Sequence, residues 1–182
     1  MKPSESQAAE RFRACFEQHW RAVHDFLRWR GAGPHCDDLA SEVFATAWRR
    51  WSSVPEEPLP WLLRTARNHL ANHRRAQQRR AAGGHDAAAR PSDGPAELAE
   101  AAEEARALLA AVSRLPELER EMVLLVAWDG LTARQAAQVA GCLPGTARAR
   151  LHRARRRLAA DLRRGANDQP ALSRIEELRS HA

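Results

Sequence analysis

The sequence LTARQAAQVAGCLPGTARARLHRARRRL, residues 131–158, determines how the C-terminal half of the chain folds. Thr132 is a favourable N-cap for a short helix over residues 133–140, and Gly141 can end that helix in the left-handed conformation. A second helix then starts near Gly145, because Pro144 falls at a position that a first helical turn permits. The stretch therefore predicts a short helix, a tight turn and a longer helix.

The longer helix has two chemically different faces. The face predicted to be buried carries Ala147, Leu151, Ala154 and Leu158, and the opposite face carries Arg148, His152, Arg153, Arg155 and Arg156. A short helix, a turn containing glycine and a helix with a basic outer face is the arrangement that places a recognition helix in the major groove of DNA. The alternative is a basic amphipathic helix of a bundle whose arginines are only solvated.

Amphipathic helices are also predicted in the N-terminal half. Three stretches have apolar residues at helical spacing: Phe12, Phe16, Trp20, Val23, Phe26 and Leu27; then Leu39, Val43, Phe44, Ala47, Trp48 and Trp51; then Leu62, Leu63, Ala66, Leu70 and His73. Asp37 and Asp38 are suited to capping the second of these helices. Ala, Leu and Arg are abundant and β-branched residues are scarce, so the predicted fold class is all-α.

A segment without helical periodicity separates two helical halves. Residues 81–96, AAGGHDAAARPSDGPA, are rich in Gly, Pro, Ala and Asp, which is typical of a flexible linker. We therefore expect two small helical domains, residues 1–80 and 97–165, and a C-terminal tail of residues 166–182. The second domain contains the helix-turn-helix.

The charge pattern favours a polyanionic partner. The formal net charge is +6, and 28 of the 29 basic residues are arginine. Residues 64–80 carry six arginines and no acid, while residues 142–164 carry eight arginines with Asp161 as the single acid. These two stretches predict two basic surfaces that bind nucleic acid, although either one alone is also compatible with a solvated helix face.

Other classes of protein fit poorly. No run approaches the roughly 20 apolar residues of a membrane span, so we expect a cytoplasmic protein with no membrane insertion. Cys15, Cys36 and Cys142 form no close pair, which favours reduced structural thiols. His69 and His73 lie one helical turn apart without an evident third ligand, and His35 next to Cys36 has no orienting partner. We therefore expect no metal, no cofactor and no enzymatic activity.

Two stretches resemble one known family. The sequence LPELEREMVLLVAWDGLTARQAAQVAGCLPGTARARLHRARRRL, within residues 108–158, resembles conserved region four of the extracytoplasmic-function group of bacterial RNA polymerase sigma factors. DDLASEVFATAWRRW (37–51) is similar to the segment of region two that binds core polymerase, and PWLLRTARNHLANHRR (60–75) is similar to its promoter-melting segment. The two matches follow the family's order and are separated by the predicted linker.

The resemblance implies a role for residues of the second and third helices. Asp38, Glu42, Trp48 and Arg49 occupy the positions that dock on core polymerase, although Trp48 is also compatible with a core position and Asp38 with a helix cap. Trp61, Arg64, Arg67 and Asn68 occupy the positions that contact the opened minus-ten element, with burial of Trp61 as the alternative. The loop of residues 52–58, SSVPEEP, departs from the family because two acids face the expected site of a flipped base.

The resemblance also assigns positions on the recognition helix. Arg148, Ala149, His152 and Arg153 occupy the positions for minus-thirty-five base contacts, and the two arginines can reach guanine O6 and N7. Ala149 can contact only a thymine methyl group. Thr146, Arg150 and Arg155 are better suited to phosphates, which orient the helix without sequence recognition.

The sequence therefore predicts a sigma factor that is monomeric when free and that binds core RNA polymerase, promoter DNA and, as the family implies, an anti-sigma factor. It would direct polymerase to promoters and help to open the DNA. Two alternatives stay open: a conventional helix-turn-helix regulator, and a module that binds an anti-sigma factor without initiating transcription.

Overall fold

The computed structural model describes residues 5–82 and 101–167, and these residues are almost entirely helical. Neither range contains a β-strand, which confirms the all-α prediction. Residues 83–96 of the predicted linker and 168–182 of the predicted tail lie outside the described residues. The helices are α1 Glu5–Trp29, α2 Cys36–Arg49, α3 Leu59–Ala82, α4 Ala101–Ser113, α5 Glu117–Val123, α6 Ala133–Ala140 and α7 Pro144–Asn167.

The chain divides into two compact units. The first contains α1, α2 and α3 and also takes in residues 135–141, and the second contains α4, α5 and α7. The predicted domain bounds, residues 1–80 and 97–165, stay a prediction.

Helices α1, α2 and α3 pack around one apolar core. The largest side chains with less than 2% exposure in this core are Phe26, Leu27, Leu62, Leu63, Val23 and Val43. Burial of one such side chain contributes about 1.5–3 kcal/mol, so this core holds the three helices together. The chain leaves α1 through Gly31, whose φ of 77° is a left-handed conformation that glycine adopts without strain.

The starts of α2 and α3 differ in detail from the prediction. Helix α2 begins at Cys36, and Asp37 and Asp38 lie inside its first turn; the residue before the helix, His35, makes no side-chain capping bond. The two carboxylates therefore stabilise α2 through the helix dipole, as expected, while the predicted cap is absent. Helix α3 begins at Leu59 and accommodates Pro60 in its first turn, where the missing N–H costs nothing.

The second unit has a core of smaller side chains. Its buried residues include Ala111 and Leu115, Met122 and Leu125, and on α7 Ala147, Leu151 and Ala154. After Val123 the chain continues as one π-helical turn, Leu124–Trp128. Leu108 and Leu109, which mark the predicted apolar face of α4, are 46% and 48% exposed, so that face is wrong. Ala111 is the buried residue of that helix instead.

The three cysteines are free thiols in different environments. Cys15 and Cys36 are buried and Cys142 is half-buried. Burial raises the pKa of the Cys15 thiol, and burial together with the neighbouring Asp37 carboxylate raises the pKa of the Cys36 thiol. Within residues 5–82 and 101–167, no helix has both the length and the apolar character needed to cross a bilayer.

Candidate nucleic-acid interface

Helix α7 presents the outer face that its sequence pattern predicts. The turn before it contains Gly141 at φ 67°, which confirms the predicted left-handed end of α6. Ala147, Leu151 and Ala154 are buried. The predicted contact residues Arg148, Ala149, His152, Arg153 and Arg155 are exposed, whereas Thr146 and Arg150 are half-buried. The structure thus brings the predicted base-contacting residues to one solvent-facing surface.

A buried carboxylate holds two of the α7 arginines. Glu119, on α5, has a side chain only 7% exposed. Its Oε1 accepts a hydrogen bond from Arg153 Nε at 3.2 Å, and its Oε2 lies 3.4 Å from Arg157 Nε. Sequence reasoning missed this residue. The signal was present, because Leu115, Glu119 and Met122 follow each other at steps of four and three, which places Glu119 on an inward face.

A second carboxylate acts similarly further along α7. Asp161 lies 3.4 Å from Arg114 Nε, and its other oxygen accepts a hydrogen bond from Arg164 Nη2 at 2.7 Å. The side chain of Asp161 is 22% exposed, so water screens this cluster more than the one at Glu119. The single acid of the basic stretch 142–164 is therefore committed to ion pairs within the second unit.

Helix α3 exposes a mixed aromatic, amide and arginine surface. Leu62, Leu63, Ala66 and Leu70 are buried, which fixes the orientation of the helix. Arg64 and Asn68 are exposed, and Trp61 and Arg67 are half-buried. Because Trp61, Arg64 and Asn68 are spaced by three and four residues, they share one side of the helix. Trp61 is therefore neither a core residue nor fully exposed.

Three of the four residues predicted to bind core polymerase share one face of α2. Asp38, Glu42 and Arg49 are exposed at helical spacing. A polar network links two of them to α3: Glu42 Oε2 lies 3.0 Å from His69 Nδ1, His69 Nε2 lies 3.2 Å from Thr46 Oγ1, and Arg49 Nη2 donates to that oxygen at 3.1 Å. His69 and Thr46 were not anticipated from the sequence.

Trp48 lies on a neighbouring face, since successive residues of a helix are rotated by about 100°. Its side chain is 50% exposed, which rejects the core position as an interpretation. The ring packs edge-on against Phe12 of α1 at a centroid distance of 4.9 Å. Trp51 also meets Phe12, at 5.4 Å, from the 3-10 turn that follows α2. The exposed aromatic surface therefore extends from α2 onto α1.

His73 packs against His35 with a ring centroid distance of 4.5 Å. Burial lowers the pKa of His73, and the neighbouring His35 lowers it further. His69 engages Glu42 and Thr46 instead, so the two histidines have separate partners. In the parts of the chain that the structure describes, no three His, Cys, Asp or Glu side chains are grouped as a metal site would require.

The acidic loop between α2 and α3 is open to solvent. Glu56 and Glu57 are both exposed, next to a 3-10 turn at Trp51–Ser53. The two carboxylates are thus accessible on the first unit, near the start of α3.

Comparison with known proteins identifies both halves. The family Sigma-70 region 2 matches residues 6–80, and Sigma-70, region 4 matches residues 105–158. The chain is 31% identical over 133 residues to the ECF RNA polymerase sigma factor EcfG of Rhodopseudomonas palustris, covering 71% of this chain and 72% of that protein. It is 38% identical over 127 residues to the probable RNA polymerase sigma factor RfaY of Xanthomonas campestris pv. campestris, covering 65% of this chain but only 32% of that longer protein.

Solved structures share the fold. The sigma factor RpoE in complex with the anti-sigma factor NepR from Bartonella quintana superposes with a TM-score of 0.62 at 23% identity, covering 85% of this chain and 98% of that one. CnrH in complex with the cytosolic domain of CnrY gives a TM-score of 0.58 at 25% identity, covering 86% and 93%.

Both sigma regions occur in the order that the sequence predicted, on helices whose exposed faces suit polymerase and DNA. The chain belongs to the extracytoplasmic-function group of RNA polymerase sigma factors, a family of non-catalytic factors for promoter-directed transcription initiation.

Proposed function

We propose that this chain docks on core RNA polymerase through its first unit and directs the enzyme to promoters by contacts of both units with DNA. The observation that carries this proposal is the outer face of α7, where exposed Arg148, His152 and Arg153 lie opposite the buried Ala147, Leu151 and Ala154. A helix with such a face, placed after a glycine-containing turn, fits the major groove of a duplex.

Helix α7 is proposed to bind the minus-thirty-five element. Arg148, Ala149, His152 and Arg153 supply the surface toward the bases, and Thr146, Arg150 and Arg155 the surface toward phosphates. Exposure of the first four and partial burial of Thr146 and Arg150 support this division, because a base contact requires the deepest reach into the groove.

Helix α3 is proposed to bind the minus-ten element while it opens. Trp61 offers a ring for stacking, Asn68 an amide for base edges, and Arg64 and Arg67 charge for the backbone. A surface that combines an aromatic ring with arginines is suited to single-stranded DNA. The acidic residues Glu56 and Glu57 lie beside this surface and would disfavour close approach of phosphate.

The exposed side of α2 is proposed to bind core polymerase. Asp38, Glu42 and Arg49 supply charges that select the partner, and Trp48 supplies contact area. The packing of Trp48 against Phe12 holds the ring in place before binding, so less conformational entropy is lost on association.

We further propose that the chain has no catalytic residues or cofactor of its own, acts in the cytoplasm and is monomeric when free. An anti-sigma factor is a proposed partner, because the structures of RpoE and CnrH contain the anti-sigma factor NepR and the cytosolic domain of CnrY, respectively. Initiation then depends on binding energy, with both DNA elements held by one chain so that their affinities combine.

Transcription in vitro tests the proposal. Purified core polymerase is combined with the chain on a pooled library of promoters, and the 5′ ends of the transcripts are sequenced. We expect defined start sites that appear only when the chain is added. Binding to DNA without binding to core polymerase would instead indicate a conventional regulator. Binding to core polymerase without start sites would indicate a module that does not initiate.

A further inference from the structure

Glu119 is an acid at the centre of a surface that is otherwise arginine. We propose that Glu119 is a positioning residue, which holds Arg153 and Arg157 as a two-pronged clamp for DNA phosphate. The proposal rests on the proposed function in one respect, the binding of duplex DNA by α7. It differs from the resemblance to the family in making Arg153 a phosphate contact, so that Arg148 and His152 remain to recognise bases.

The contact geometry supports a clamp. Both arginines meet Glu119 through Nε, at 3.2 Å for Arg153 and 3.4 Å for Arg157. A guanidinium has four further N–H donors on its two Nη nitrogens, which an Nε contact does not occupy. Both side chains are 53% exposed although their Nε atoms touch a buried carboxylate. The guanidinium groups are therefore anchored on the protein side and open on the solvent side.

The spacing of the two arginines points to one ligand surface. Arg153 and Arg157 are one helical turn apart, roughly 6 Å along α7, which is close to the separation of neighbouring phosphates on one DNA strand. A carboxylate that bridges both guanidiniums fixes their relative positions. Without it, two long side chains of like charge would repel each other and lose their common orientation.

The surrounding charges favour an anion. The two arginines line a concave surface together with Arg114, Arg156, Arg164 and Asp161. Five guanidiniums stand against the two carboxylates Glu119 and Asp161, which leaves an excess of positive charge. Because Glu119 is almost fully buried, an anion bound outside would meet the arginines first and the carboxylate only at a distance.

A simpler hypothesis gives the opposite result. If Glu119 only neutralises charge, its removal would strengthen binding to any DNA, since one negative charge near the interface disappears. If Glu119 positions the arginines, the variant Glu119→Gln loses phosphate contacts although the chain becomes more positive. The salt dependence of binding separates these hypotheses, because its slope counts neutralised phosphates at about 0.9 each.

The experiment uses the full chain and a fluorescent mixed-sequence DNA duplex about three helical turns long. Anisotropy gives the dissociation constant across a range of salt concentrations. For Glu119→Gln we expect affinity to fall several-fold at low salt and the slope to decrease by about 1. Circular dichroism confirms that the variant is folded.

Two further variants keep the test decisive if Glu119→Gln fails to fold. Arg153→Gln and Arg157→Gln change half-exposed residues, and each should decrease the slope by about 0.9. Asp161→Asn is the matched control: it also removes one carboxylate that pairs with two arginines of the second unit, and it should strengthen binding slightly.

The clamp is refuted if Glu119→Gln binds the duplex more tightly, as Asp161→Asn should, or if Arg153→Gln and Arg157→Gln leave the slope unchanged. If the unmodified chain shows no salt-dependent binding, both the clamp and the proposed DNA binding fail. Since this assay contains no polymerase, its result is independent of whether the chain initiates transcription.

Discussion

Helices α3 and α7 have the same length, 24 residues, and both are rich in arginine, yet they use that charge differently. On α7, Arg153, Arg157 and Arg164 meet the carboxylates of Glu119 and Asp161. On α3, Arg74 donates to the backbone carbonyl of Arg30 and Arg75 to the side-chain oxygen of Asn72 at 3.3 Å, both neutral acceptors. Arginine content alone therefore does not describe a basic helix.

The two helices also differ in what they bury and expose. Helix α3 buries leucines, Leu62 and Leu63 among them, and exposes an asparagine and part of a tryptophan beside its arginines. Helix α7 buries mainly alanines and one leucine, and its outer face is almost entirely basic. A mixed surface suits unpaired bases, whereas a basic surface with fixed side chains suits the regular backbone of a duplex.

The largest expected effect concerns the different anchoring of the two helices. Leu62→Ala removes a side chain with 0% exposure and should lower the free energy of unfolding by about 2–5 kcal/mol. Denaturant titration followed by circular dichroism measures this change. The control Leu143→Ala removes a side chain that is 75% exposed and should change stability by less than about 0.5 kcal/mol. Equal effects of the two substitutions would contradict the described core.

A smaller loss is expected when the exposed aromatic surface of the first unit is cut back. Trp48→Ala should weaken association with core polymerase by about 2 kcal/mol, roughly 30-fold, because a half-exposed ring next to Phe12 is suited to be a binding hot spot. Titration of labelled chain with core polymerase measures the dissociation constant. Trp128→Ala is the matched control, since Trp128 is 51% exposed on the second unit. A larger loss at Trp128 would reverse the proposed roles of the units.

Helix positions followed from the sequence because apolar residues recur at a fixed period, and the burial of Val23, Phe26 and Leu27 agrees with that pattern. Features that depend on packing between helices did not follow. Glu119 lies 34 residues before Arg153 in the chain, and His69 lies 27 residues after Glu42. A one-dimensional pattern contains no term for such pairs. The exposure of Leu108 and Leu109 was missed for the same reason, since periodicity does not reveal which neighbours cover a face.

A change of about one order of magnitude should separate duplex recognition from strand opening. Arg148→Ala removes an exposed guanidinium of α7 and should weaken binding of holoenzyme to a closed promoter about tenfold, since one bidentate guanine contact contributes ~1–3 kcal/mol. Asn68→Ala should leave closed-promoter binding nearly unchanged and slow the formation of the open complex. Promoter binding by gel shift and opening by permanganate footprinting distinguish the two steps. The same defect in both variants would remove the proposed distinction between α3 and α7.

The smallest expected effect is a pH dependence confined to the first unit. The pKa of His73 is lowered, chiefly by burial, from its ordinary value of 6.5. As pH falls through 6.5, the unfolded chain takes up a proton that the folded chain still resists, so the free energy of unfolding decreases. The Tm should therefore be lower at pH ~5.5 than at pH ~7.5.

His73→Asn should reduce this pH-dependent fall in Tm. A residual fall is expected, because burial lowers the pKa of His19 in the same direction. Differential scanning calorimetry at the two pH values measures the change. If His73→Asn showed the full fall of the unmodified chain, titration of His73 would have no part in it.

The unequal burial of the three thiols makes the chain suited to labelling at one position. Cys15 and Cys36 are buried with raised pKa values, so a maleimide at neutral pH should react first with the half-buried Cys142. That residue lies in the turn between α6 and α7, directly after Gly141. A fluorophore attached there would report on promoter engagement by an otherwise native sequence, in solution and in real time.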